Sequence, residues 1–175
     1  MTSLHEITIP YLTASLKTLQ GLIAKTEELA ASQGKTGNDL LGLSIHENMW
    51  PLAQQFNIIA IHAMGGVAKA TSTAPPSVAF GPVSSIDEAK KQVADVLAYV
   101  QGCKPEAING KEANVTGAKV GPGDDLPVTV YNYITGYMIP QISFHLTTVY
   151  DILRANGASL SKGDYLKAYV VPYKG

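Results

Sequence analysis

The sequence predicts an all-α fold, a four-helix bundle with a small β-hairpin or ordered loop before the last helix. Three observations predict it. Apolar residues recur at three- and four-residue spacing in four separate stretches, the period of one helical face. Between the third and fourth stretches, Gly110, Gly117, Gly121, Pro122, Gly123 and Pro127 break up two short β-prone runs, 113–120 and 126–130. Finally, 175 residues of which 46% are hydrophobic make one domain, spanning 1–175, with apolar material for one core.

The first helix is expected from about Ile9 to Gln33. Thr8 and Pro10 together resemble a capped start, and Leu12, Leu16, Leu19 and Ile23 form its seam before Gly34. Residues 34–48 are punctuated by glycine and asparagine, which predicts a linker with one short helical turn around 39–43. Pro51 opens the second helix, with Leu52, Phe56, Ile59, Ala63 and Val67 as its seam, and the proline-containing stretch from Thr71 to Pro82 ends it. Ser85-Ile86-Asp87-Glu88 is a capping box that starts the third helix, whose seam is Ile86, Val93, Leu97 and Val100. The fourth helix is expected over about Tyr131 to Asn156 on the seam Ile139, Ile142, Leu146, Val149 and Leu153. Pro140 lacks a backbone N–H and crowds the carbonyl of Gly136, so a kink or frayed turn is expected there. The tail from Ala158 reads as a surface extension, with Tyr165, Tyr169, Val171 and Tyr173 placed to pack on the bundle or on a second subunit.

Charge and cysteine content narrow the function. Thirteen Lys plus Arg balance fourteen Asp plus Glu, and Arg154 is the only arginine, which excludes the basic face of a nucleic-acid binder. No stretch approaches a membrane span, so no membrane partner is expected. Cys103 stands alone and the first twenty residues lack the basic-then-apolar pattern of a signal peptide, so a reduced, cytoplasmic setting is expected. Asn114-Val115-Thr116 would accept a glycan only in a secreted protein.

The candidate chemistry rests on the histidines. His5, His46, His62 and His145 are far apart, and none forms the i, i+4 pair that places two imidazoles on one face for a metal. His62 and His145 each sit at the border of an apolar seam, and Gln55 and Gln141 share their helix faces. Gln55 and His62 on helix two, with Tyr137, Gln141, His145 and Thr148 on helix four, are expected to line one end of a bundle cavity. The plainer roles are a hydrogen-bonded structural imidazole for His145 and His62, and a solvent-facing position for His46, Glu47 and His5. Lys104 beside Cys103 would lower the thiol's pKa, yet no histidine is near it in sequence, and it reads as unreactive. The turn carrying Asp124 and Asp125 is at most a weak calcium ligand set.

Met49-Trp50-Pro51-Leu52 with Gln55, then Tyr133, Pro140, Phe144-His145, Thr147-Thr148 and Tyr150, then Ile152-Leu153-Arg154 with Asn156-Gly157, and finally Lys162 with Asp164-Tyr165-Leu166, carry a family likeness. Over Pro10 to Leu166 the chain resembles an uncharacterised bacterial and fungal domain-of-unknown-function family of the DinB/YfiT-like superfamily. The resemblance implies a four-helix bundle in up-down-down-up order with long first and last connections. The wider superfamily includes metal-dependent thiol transferases and a maleylpyruvate isomerase, with one metal-binding histidine on helix two and an H-x-x-x-H pair on helix four. Aligned by the end of helix four, His145 falls on the second histidine of that pair, Gln141 on the first and Gln55 on the helix-two ligand. A neutral amide oxygen is a poor ligand for zinc or nickel, so no metal and no cofactor are expected, while the cavity is kept.

Three functions follow as expectations. The bundle binds a small, largely apolar molecule oriented by His145, Gln141 and Gln55, with His145, titrating near neutral pH, able to act as acid or base. Alternatively, His145 joins His62, His46 or Glu47 in a metal-dependent thiol transferase or hydrolase of the DinB type. As a third reading, the low charge density and tyrosine-rich tail suit a homodimer that serves as a non-catalytic interaction module.

Overall fold

The structure, a computed structural model, describes residues 2–76 and 82–170. Four long helices carry the fold: α1 (Leu4–Ser32), α2 (Leu52–Thr71), α3 (Ile86–Gly102) and a fourth that starts as α5 (Val130–Tyr133), passes through a π-helical turn (Ile134–Met138) and continues as α6 (Ile139–Ala155). The short α4 (Pro105–Ile108) and an antiparallel hairpin, β1 (Val115–Ala118) and β2 (Leu126–Thr129), fill the connection before it. The hairpin register pairs Val115 with Thr129 and Ala118 with Leu126. The final α7 (Lys162–Val170) lies against α1.

Contacts between helices fix the order. Glu27 of α1 meets Lys90 of α3, and His5 meets Cys103, so these two run antiparallel. Tyr11 reaches Ile139 and Ser143 of α6 while Gln33 reaches Asn156, so α1 and α6 run parallel. Gln55 pairs with His145 and His62 with Tyr137, which makes α2 antiparallel to α6. The bundle is therefore up-down-down-up. Its centre is packed solid: Leu12, Leu16, Phe56, Ile59, Ala63, Val93, Ile142, Leu146 and Val149 are each wholly buried. Each such Leu, Ile, Val or Phe stabilises the fold by roughly 1.5–3 kcal/mol. The expected seams all turn inward, with Leu97 and Ile139 only half-buried.

One boundary, one cap and the tail differ in detail from expectation. Helix α1 begins at Leu4 because Ser3 and Glu6 form a reciprocal capping box, the Ser3 hydroxyl accepting from Glu6 N–H and the Glu6 carboxylate from Ser3 N–H. Thr8 is instead buried, its hydroxyl donating to the Leu4 carbonyl, and Pro10 sits inside the helix on the exposed side. At α3 the Ser85 hydroxyl caps Glu88 N–H, but the Glu88 carboxylate takes the Ser84 N–H and hydroxyl, and Asn38 of the first linker accepts from Ile86 N–H. The tail lies on the surface and, from Lys162, forms a helix, with Tyr165 and Tyr169 packed back on the bundle. Tyr169 shares a hydrogen bond with Ser15 at 2.8 Å, and the Tyr165 carbonyl accepts from the Thr18 hydroxyl at 3.1 Å. Val171 and Tyr173 lie outside the described residues.

The first amides of α2 have no side-chain cap. Leu52 N–H donates to the Leu43 carbonyl and Ala53 N–H to the Leu41 carbonyl, so the linker itself satisfies them. This fixes Trp50 and the start of α2 against the strand of chain that precedes them.

Candidate functional site

The site lies where α2 begins, against the middle of α6. Gln55, on the first turn of α2, is buried, and its Nε2 donates to the Trp50 carbonyl at 3.0 Å. Its Oε1 therefore faces His145, whose Nδ1 lies 2.7 Å away. An amide oxygen only accepts, so Nδ1 carries the proton and Nε2 is left with its lone pair. The ring of His145 lies almost parallel to Trp50, 6.0 Å between centroids at 14°, and to His62, 6.1 Å at 19°. Phe144 meets it edge-on at 5.2 Å.

Burial decides the charge state. His145 is 6% exposed, and burial first, with the neighbouring His62 second, pushes its pKa down to about 4. His62, half-buried, is lowered by burial as well. Both imidazoles are neutral at pH 7, which corrects the expectation of a histidine titrating near neutrality. A proton held that weakly makes His145 a poor general base at pH 7 and a good fixed hydrogen-bond acceptor.

In front of His145 is a recess of about 360 Å³, lined by Trp50, Gln55, Gln141, Phe144 and His145 together with Asn48 and Met49. It opens to solvent. The expected cavity is thus a surface recess between α2 and α6 rather than a chamber inside the bundle, because Phe56, Ile59 and Leu146 fill the space behind it. A second recess of about 250 Å³, along Gly136, Tyr137 and Pro140, shares Gln141 and Phe144 with the first. The π-helical turn shapes this end. Its extra residue per turn absorbs the missing N–H of Pro140, and the Ile139 N–H bonds the Ile134 carbonyl five residues back. Tyr137, edge-on to His62 at 5.8 Å, donates from its hydroxyl to the Lys119 carbonyl at 2.7 Å. Lys69 of α2 donates to the Gly117 carbonyl at 2.7 Å, so the hairpin is tied across this end of the bundle.

Of the expected site residues, Gln55, His62, Tyr137, Gln141 and His145 come together here. Thr148 does not reach the recess: it is buried and its hydroxyl donates to the Phe144 carbonyl. His46 and Glu47 are exposed, and His46 Nδ1 is 2.7 Å from Asn48 Oδ1. His5 is half-buried rather than on the surface, its Nε2 3.2 Å from the Cys103 carbonyl. The Cys103 thiol is pushed up by burial, and Lys111, not the adjacent Lys104, is the cation that opposes this. The sequence reading missed Trp50 and Phe144 as site residues. Both are large aromatics left 51% and 58% exposed beside the histidine. The available signals were Phe144 standing off the α6 seam and the chain's single tryptophan at a helix start.

The metal centre of the better-known superfamily members does not fit this donor set. Gln55 already engages Nδ1 of His145, and the neutral amides of Gln55 and Gln141 beside it are poor ligands for zinc or nickel. Among the described residues no three His, Cys, Asp or Glu side chains gather to hold an ion, at the Asp124–Asp125 turn or elsewhere. Among the same residues, no helix is long and apolar enough to cross a membrane.

Comparison with known proteins agrees with this fold. A family profile described as "Domain of unknown function (DUF1993)" matches residues 4–166. The crystal structure of a DinB family member protein from Shewanella denitrificans is similar, with 27% identity over 93% of this chain and 91% of that one, and a TM-score of 0.83. No curated protein matches the chain.

Proposed function

The chain belongs to the DUF1993 family, a domain of unknown function with a DinB-like fold, and from that premise we propose that it binds a small, largely apolar molecule in the recess before His145. Trp50 and Phe144 offer exposed aromatic surface for a flat ring, and Nε2 of His145 offers an acceptor for a single N–H or O–H donor on it. Gln141 lines the same recess and supplies a further polar contact. The observation that carries this proposal is the Trp50–Gln55–His145 relay, which commits the proton to Nδ1 and leaves Nε2 for a ligand. No metal and no cofactor enter it.

Ligand-observed saturation-transfer NMR with phenol, indole and toluene tests the proposal. Phenol and indole should bind, toluene, which lacks a donor, at least tenfold more weakly, and His145→Ala should remove the difference among the three. Binding of phenol and indole that is the same in wild type and His145→Ala would end the proposal. The exposed Trp50 and Phe144 also favour a second reading, an interface between copies of this chain. Light scattering over a dilution series, with Trp50→Ala as the comparison, separates the two.

A further inference from the structure

Away from His145, the groove between α1 and α7 sets charge over an apolar floor. Lys17, Lys25 and Lys167 line a recess of about 430 Å³ whose floor includes the buried Leu22 and Leu160. That volume falls within the usual size of small-molecule sites, roughly 300–1,000 Å³. The whole chain has a net charge of −1, yet Asp164 is the one carboxylate that lines this recess against three ammonium groups. Asp164 is already engaged, its carboxylate accepting from Ser161 N–H and hydroxyl at 2.7 and 2.8 Å. Lys25, half-buried, is paired with Glu28 at 2.5 Å and is also near Asp164, which leaves Lys17 and Lys167 as the two cations of the recess without a carboxylate partner among the described residues.

Gly21 is the second observation. It lies inside the 29-residue α1, where glycine is the least favourable residue after proline. A Cβ built there meets nothing within 4 Å, and its backbone is not left-handed. Neither packing nor conformation calls for glycine at this position. Because Gly21 lines the recess, a side chain there would occupy it.

We infer that this groove is a second binding site, for a small amphipathic anion whose charged head meets Lys17 and Lys167 at one end while its apolar chain runs across the bare backbone of Gly21, over Leu22 and Leu160, towards Lys25. Long-stemmed lysines suit such a ligand, because their methylenes cover the chain while their ammonium groups stay at the wet rim. This site is independent of the His145 recess.

Isothermal titration calorimetry of the full chain with decanoate at low salt tests it. One equivalent should bind, decanol at least tenfold more weakly, and Lys17→Gln with Lys167→Gln should weaken decanoate at least tenfold. Gly21→Leu should abolish binding while leaving the melting temperature the same or higher; the lysine variant keeps the test decisive if Gly21→Leu fails to fold. No saturable decanoate binding, equal binding of decanol, or binding indifferent to the lysine change would each overturn the proposal. So would attachment to phosphatidylglycerol vesicles through the same lysines without uptake of free decanoate, which would make this a membrane-facing surface instead.

Discussion

Gln55 is the residue on which the geometry of His145 depends. It is buried, and both halves of its amide are used, one on the Trp50 carbonyl and one on the imidazole. Gln55→Leu keeps the bulk but leaves a buried Nδ1–H and a backbone carbonyl without partners, which should cost about 1–3 kcal/mol in urea unfolding. The ¹⁵N shifts of His145 give a direct check. In the native protein at pH 7 they should report a proton on Nδ1 alone, and in Gln55→Leu a mixture of tautomers. Sequence alone put Gln55 and His145 in one site, since helix spacing and the family likeness both place them at facing seams. It did not show the role of Trp50, because stacking depends on how the linker ends, and no periodicity describes a linker.

At the scale of elements, α2 meets the π-helical turn at Gly66. A Cβ at Gly66 would lie 2.1 Å from the sulfur of Met138 and 3.1 Å from its Cγ, and Met138 is wholly buried. Gly66→Ala should therefore destabilise the protein by roughly 1–3 kcal/mol despite alanine's better helix propensity. Adding Met138→Ala should give a double mutant more stable than the sum of the two losses, a coupling that a double-mutant cycle in urea would measure. The four helices and the hairpin could be read from the sequence because each long helix must bury one stripe and thus writes it at a fixed period. The start of α1 was misplaced because Thr8 and Pro10 imitate a cap, whereas the working box is Ser3 with Glu6. Helix α7 went unread for a plain reason: it has no fully buried residue and therefore no stripe to announce it.

For the whole molecule, two sets of buried groups bound the pH range of stability. Native His145 gives up its proton near pH 4 rather than at its ordinary value of 6.5, and His62 is lowered too. Between those values the unfolded chain binds more protons, so stability should fall as pH drops from 6.5 towards 4. On the alkaline side, burial raises the phenols of Tyr11, Tyr133 and Tyr169 above their ordinary value of 10.0. There the native state holds protons that the unfolded chain releases, so stability should fall as pH rises past 10. Thermal melts across pH should trace a plateau with two shoulders, and His145→Gln should flatten the acid one.

The up-down-down-up order also bears on how the chain reaches this state. The helices flanking α1 on either side are α3 and α6, not the α2 that follows it in sequence, and α6 ends at Ala155 of 175 residues. The apolar stripe of α1 therefore meets its last partner in the four-helix bundle, α6, only after α2, α3 and the hairpin have been made. Non-local pairing of this kind slows folding relative to a bundle of successive hairpins, because the loop between the paired helices must close before their contacts form.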